Sequence, residues 1–170
     1  TVTIDDTTDF TTGRMMRIEY ANDSSVPVFQ VAGYPYRQVQ IVKITGKTST
    51  TLSFSPAIYA SFAGTGRVSG YQHTAEGFGA EDFQIYAYNQ LQRVFWLERT
   101  AYSWVKNVKS NNGKNTHVDI SESLGVEIRD SWFNTLGNGA SPNAGAIILG
   151  NASNCLVENN ILYKGFPLVE

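Results

Sequence analysis

Along residues 39–54 apolar and polar side chains alternate. Val39, Ile41 and Ile44 precede Thr45-Gly46-Lys47, and Leu52 and Phe54 follow. A period of two marks strands with one buried face, and a glycine between two such runs predicts a hairpin turning near Gly46. Residues 2–4 and 15–20 read as two further strands, with a turn at Gly13 between them. No helical period is sustained here, so residues 1–60 are expected to form a small antiparallel β-subdomain.

The rest of the chain repeats. Windows 97–107 (LERTAYSWVKN), 120–130 (ISESLGVEIRD) and 149–159 (LGNASNCLVEN) align without a gap. Each opens on an aliphatic residue and has a second one at Val105, Ile128 or Val157. A charged residue follows at Lys106, Arg129 or Glu158, and the window closes on Asn107, Asp130 or Asn159. Ser103, Val126 and Cys155 share a further position, and a weaker copy begins at Ala80, so the intervals are 25, 23 and 29 residues. A unit of this length holding only short strands has no apolar partner of its own and must stack on its neighbours. Parallel stacking at ~4.8 Å places equivalent residues above one another.

Three inner columns are therefore expected: Leu97, Ile120 and Leu149; Val105, Ile128 and Val157; Ser103, Val126 and Cys155. Outside, Glu81, Lys106, Arg129 and Glu158 should form one column, with Arg99 and Glu122 neighbours in another. The recurrent Asn or Asp suits a turn, where its side chain bonds nearby backbone. The fold class expected is all-β: a short right-handed parallel β-helix over residues 61–170, preceded by the antiparallel subdomain of residues 1–60.

Composition narrows the function classes. Thr, Ser, Asn and Gly supply 57 of 170 residues and Leu only 9, a balance that favours strands and turns. The net charge of −2 and pI near 5.7 argue against nucleic acid, which calls for clustered Lys and Arg. No apolar run approaches the length of a membrane span. Cys155 stands alone, so neither a disulfide framework nor a cysteine-rich zinc site is expected. No secretory leader is visible, and the missing initiator methionine suggests a mature product or a piece of a larger polypeptide.

The segments GAEDFQI (79–85), AYSWVKNVKS (101–110), HVDISESLGVEIRDSWF (117–133) and AIILGNASNCLVENNILY (146–163) resemble the right-handed parallel β-helix of the pectate-lyase-like superfamily. The resemblance implies an extracellular or periplasmic protein that meets polysaccharide as a lyase, a glycoside hydrolase, an adhesin or a binding module. The catalytic signatures of that superfamily are missing. The chain contains no Asn-Thr-Asp, Asp-Asp and Gly-His-Gly series along consecutive coils, and Arg129 has no neighbouring proline of the lyase type. Asp5-Asp6 does occur, but outside the coils. The carboxylates Glu98, Asp119, Glu122, Glu127 and Glu158 therefore read as coil surface.

The aromatics point to binding. Alternation sends Phe95, Leu97, Ser103 and Val105 inward, so Trp96 and Trp104 should face outward. An exposed indole offers a stacking platform for a sugar ring, with polar groups beside it to bond hydroxyls. The expected site is Trp96 and Trp104 with Arg99, Asp119 and Glu122. The alternative is that residues 1–60 pack over these indoles. Trp132 reads equally as exterior or core.

The expected function is non-catalytic recognition of a plant or microbial polysaccharide. The alternative is a fragment of a lyase or hydrolase whose catalytic coils lie elsewhere. No cofactor is expected. Asp5, Asp6 and Asp9 carry oxygens suited to a structural calcium, but a plain acidic turn accounts for them as well. His73 and His117 read as surface or turn histidines, and the sequons at Asn22 and Asn151 are short enough to arise by chance. Residues 161–169 should end the solenoid, where open strand edges invite self-association or contact with further domains.

Overall fold

In the computed structural model, residues 1–21, 36–59, 66–88, 91–136 and 145–164 are described. They hold sixteen strands and no helix. Contacts divide the chain into two units, Thr1–Thr74 and Ala75–Glu170.

The first unit holds β1 (Val2–Thr3), β2 (Met15–Ala21), β3 (Tyr36–Lys47), β4 (Thr51–Ser55) and β5 (Gly66–Gly70). They form one antiparallel sheet in the order β1-β4-β3-β2-β5. Alternation along β2 and β3 brings Met16, Ile18, Val42 and Ile44 to one face, where they pack with Phe10 and Leu52. The unit extends past residue 60 because β5 pairs with β2. The 60/61 division itself lies outside the described residues, as does the Asn22 sequon.

The β3–β4 hairpin forms, but its turn is not at Gly46. Gly46 sits within β3 at a register shift opposite Ser53, and the chain reverses over residues 48–50. There the Thr48 hydroxyl accepts from the Thr51 amide at 3.0 Å and the Thr51 carbonyl accepts from the Thr48 amide at 2.8 Å. A threonine side chain, not the expected glycine, thus supplies the turn chemistry. The Gly13 turn is present, with φ of 87°. The strand before it pairs with β4 rather than β2.

The second unit is a parallel β-solenoid. Its first coil contains β6 (Ala75–Glu76), β7 (Gly79–Tyr86) and β8 (Arg93–Glu98), and its second β9 (Thr100–Ala101), β10 (Trp104–Gly113) and β11 (Thr116–Ser121). The third runs through β12 (Glu127–Arg129), β13 (Trp132–Leu136) and β14 (Ile147–Gly150), and the fourth through β15 (Leu156–Glu158) and β16 (Ile161–Tyr163). Each strand pairs in parallel with its equivalent one coil away.

The expected columns are in register. Leu97 pairs with Ile120 and Ile120 with Leu149, while Val105 pairs with Ile128 and Ile128 with Val157. The third column follows from backbone bonds of the next residues, Glu127 N to Ser103 O and Leu156 N to Val126 O, both at 2.9 Å. Members in the first coils are buried, while Leu149, Val157 and Cys155 are half-buried. Glu81, Lys106, Arg129 and Glu158 pair in the outer column, with Glu158 exposed. Full burial of each aliphatic chain contributes roughly 1.5–3 kcal/mol.

The recurrent Asn or Asp has a definite conformation. Asp82, Asn107, Asp130 and Asn159 are all left-handed, with φ between 48° and 63°. Asn and Asp tolerate this region because a short polar side chain can bond locally. The left-handed residue bends the coil and resets the alternation, so Val105 and Val108 both point inward across Asn107. A second left-handed column, Arg99, Glu122 and Asn151, turns each coil after β8, β11 and β14.

His117 corrects its assignment as a surface residue. It is 1% exposed and lies inside the coils, with Nδ1 at 2.8 Å from the Ser110 hydroxyl and the ring 5.6 Å from that of Phe133. Burial lowers its pKa from 6.5 to about 4. His73 is exposed.

Candidate functional site

The two outer faces of the coils present different chemistry. On the β8-β11-β14 sheet, Trp96 pairs with Asp119, and Glu98 with Ser121. Trp96 is 57% exposed. Its indole Nε1 points to the Ser121 hydroxyl at 3.4 Å, and the Arg93 guanidinium lies 4.6 Å from the ring centroid. Arg93 also forms an ion pair with Asp119, which leaves the aspartate largely covered. One arginine therefore bridges indole and carboxylate. Cation–π contact at an exposed site contributes ~0.5–1 kcal/mol and fixes the ring's orientation.

Arg99 and Glu122 pair at the next corner at 2.9 Å. Trp104 is on another sheet, beyond that corner and the short strand β9, so the two indoles do not share one flat strand face. Trp104 is outward but half-buried, and its Nε1 bonds Glu81 at 3.1 Å. A Cβ at Gly79 would lie 2.5 Å from the Trp104 ring and from its carbonyl oxygen, so the ring depends on glycine beneath it. The five expected residues thus divide into three groups: Trp96 with Asp119, Arg99 with Glu122, and Trp104 by itself on the far side of the corner.

The expectations overlooked a groove on the β10 side. It encloses about 570 Å³ and follows the left-handed column Asp82, Asn107, Asp130 and Asn159, with Trp132 on its wall. Asn107 donates to Asp82 at 2.8 Å and Asn159 donates to Asp130 at 2.5 Å. Trp132 is 41% exposed and points outward, while its neighbour Phe133 is buried. This resolves the two readings of Trp132 in favour of the exterior. The Lys109 ammonium lies 4.9 Å from the Trp132 centroid. The recurrent Asn or Asp marks this column in the sequence, where it signals a turn and not a groove. Its concavity arises from the left-handed bend, which periodicity does not report.

No cluster of three metal-ligating side chains occurs among the described residues. In the first unit, Asp6 accepts from the Thr8 amide at 2.9 Å and from the Thr8 hydroxyl at 2.6 Å, and these bonds lower its pKa.

A parallel β-solenoid joined to an antiparallel sheet is the class of protein that this architecture defines. No protein-family model and no curated protein matches the chain. Among solved structures, it is similar to the tailspike protein gp49 from Pseudomonas phage LKA1, with 18% identity and a TM-score of 0.55. The match covers 91% of this chain and 27% of the tailspike chain, so this chain spans about a quarter of that protein's length. At this identity the likeness establishes the fold.

Proposed function

We propose that the coils form a non-catalytic polysaccharide-binding surface, acting outside the cytoplasm in an extracellular or periplasmic protein. The observation that carries this reading is Trp96, an indole 57% exposed and oriented by Arg93 beside Asp119 and Ser121. An apolar ring edged by hydroxyl, carboxylate and guanidinium groups has the chemistry that a sugar's C–H face and hydroxyls require. Likeness to a phage tailspike and the resemblance of the coils to the pectate-lyase-like superfamily support the same ligand class. Arg99 and Glu122, at the adjoining corner, are the next polar partners along the surface. Trp104 contributes from the neighbouring face and chiefly through packing on Gly79.

Trp96→Ala is expected to weaken polysaccharide binding about tenfold, ~1.4 kcal/mol, with little change in melting temperature. Trp104→Ala should lower the melting temperature more than the affinity. Affinity gel electrophoresis with thermal melts checks both, and unchanged binding by Trp96→Ala would remove this face from the proposal.

The second reading is a fragment of a polysaccharide lyase or glycoside hydrolase. In its favour, the match covers only 27% of the tailspike chain. An assay of reducing ends and of unsaturated product separates the two readings, since a binding surface releases neither.

A further inference from the structure

The groove along the Asp/Asn column is distinct from the Trp96 face, and three features of it converge on a ligand. Its volume of about 570 Å³ is that of a small-molecule cleft. Its wall includes an indole 41% exposed, steadied by Lys109 from one side. Along its length, carboxylate and carboxamide side chains alternate, one per coil, at the ~4.8 Å strand spacing. Asp82 and Asp130 are thus two coils apart.

Each of these carboxylates accepts a bond from one asparagine. A carboxylate has two oxygens and about four acceptor sites, so acceptor capacity remains for donors from a ligand. Carboxylates and amides beside an indole suit a chain of hydroxylated rings.

The same groove is poorly suited to acidic sugars. Lys109 is the one cation among its lining residues, and it lies over the Trp132 ring. The adjoining column, Glu81, Lys106, Arg129 and Glu158, contains two charges of each sign and adds no net positive field. A uronate entering the groove would meet Asp82 and Asp130 without a guanidinium fork to receive its own carboxylate.

We infer that this groove is a second glycan-binding site, with Trp132 as its stacking platform, and that Asp82 and Asp130 select uncharged sugars over uronates. The inference rests on the reading of the coil exterior as a polysaccharide-binding surface, and it assigns a site and a ligand charge that the reading leaves open.

The test is affinity electrophoresis of the full chain against dextran, galactomannan, xyloglucan and mannan as neutral probes and polygalacturonate as the acidic one. At least one neutral probe should retard the chain, and polygalacturonate should not. Trp132→Ala should weaken retention on the neutral probe about tenfold, independently of Trp96→Ala. The double variant Asp82→Asn, Asp130→Asn preserves side-chain shape and the oxygens that accept from Asn107 and Asn159. It should lose affinity for the neutral probe several-fold and gain retention by polygalacturonate, a reciprocal change that loss of folding would not produce.

The inference is overturned if the unaltered chain binds polygalacturonate as tightly as any neutral probe. It is also overturned if Trp132→Ala and the double variant, shown folded by circular dichroism, bind like the unaltered chain. Retention on a probe that is lost only in Trp96→Ala would overturn the groove and leave the proposed function standing. Failure to bind any of the five probes would overturn both.

Discussion

The two units place their ionic groups in different settings. In the antiparallel unit Glu19 is 1% exposed and held between Arg17, two residues away on β2, and Arg67, its cross-strand partner on β5. In the solenoid the pairs lie on outer columns: Arg99 with Glu122, whose arginine side chain is 53% exposed, and Arg93 with Asp119, where the arginine covers the carboxylate. The difference follows from how each unit selects strand partners. β2 must find β5 across 44 intervening residues, with no repeat to guide it. Arg17 accompanies Glu19 whatever strand docks, but the second cation, Arg67, reaches this buried carboxylate only in the correct β2–β5 register, so a wrong pairing leaves it less well compensated. A coil strand pairs with its own near-copy one coil away, so stacked aliphatic columns and left-handed corners already determine the register. Charge there remains peripheral.

The sharpest way to break this comparison is Glu19→Ala. It leaves Arg17 and Arg67 without their shared carboxylate and should cost ~3–5 kcal/mol, the range for breaking a buried pair from one side. Urea unfolding followed by circular dichroism measures it, and a loss under ~1 kcal/mol would show that the cluster behaves like a surface pair.

Next in size is the acid sensitivity of the coils. His117 is neutral in the folded state because burial depresses its pKa to about 4. Between pH 6.5 and 4 the unfolded chain takes up this proton and the folded chain does not. Stability is therefore full above pH 6.5 and falls as the pH drops to 4, by about 3 kcal/mol from this group. All three tryptophans are in the coil unit, so the fluorescence midpoint in urea at pH 7 and at pH 4 reports the change. His117→Gln should flatten it.

Gly79→Ala tests packing on the coil exterior. The new methyl would meet the Trp104 ring and backbone oxygen at 2.5 Å, and relieving this overlap should cost ~1–3 kcal/mol. A red-shifted tryptophan emission, from an indole pushed into water, should accompany the lower melting temperature. The smallest effect sharpens the contrast with Glu19: Arg99→Ala should change stability by only ~0–1 kcal/mol.

How far the sequence was legible differs between the units for the same reason. In the coils, the match of residues 97–107, 120–130 and 149–159 was already the pairing register, because identical positions on stacked strands are spatial neighbours. In the first unit alternation identified strands, although Ile41 and Ile44 lie on opposite faces of β3 and both are buried. Alternation carried no information on order, so the placement of β1 beside β4 and of β5 beside β2 was not foreseen. The Thr48 turn was missed because a hydroxyl that bonds backbone is weaker punctuation than a glycine.

For the candidate site, outward direction was legible and companionship was not. Period-two alternation sent Trp96 and Trp104 outward, and both are outward. It could not show that a corner separates them, that Arg93 would join Trp96 to Asp119, or that Gly79 would receive the Trp104 ring. Periodicity is a property of one strand and determines which side a residue faces. Corners, grooves and cross-coil contacts depend on where left-handed residues bend several strands together, and only the tertiary structure decides that. The Asn and Asp positions were therefore legible as turns, while the groove they create beside Trp132 emerged from the stacked coils alone.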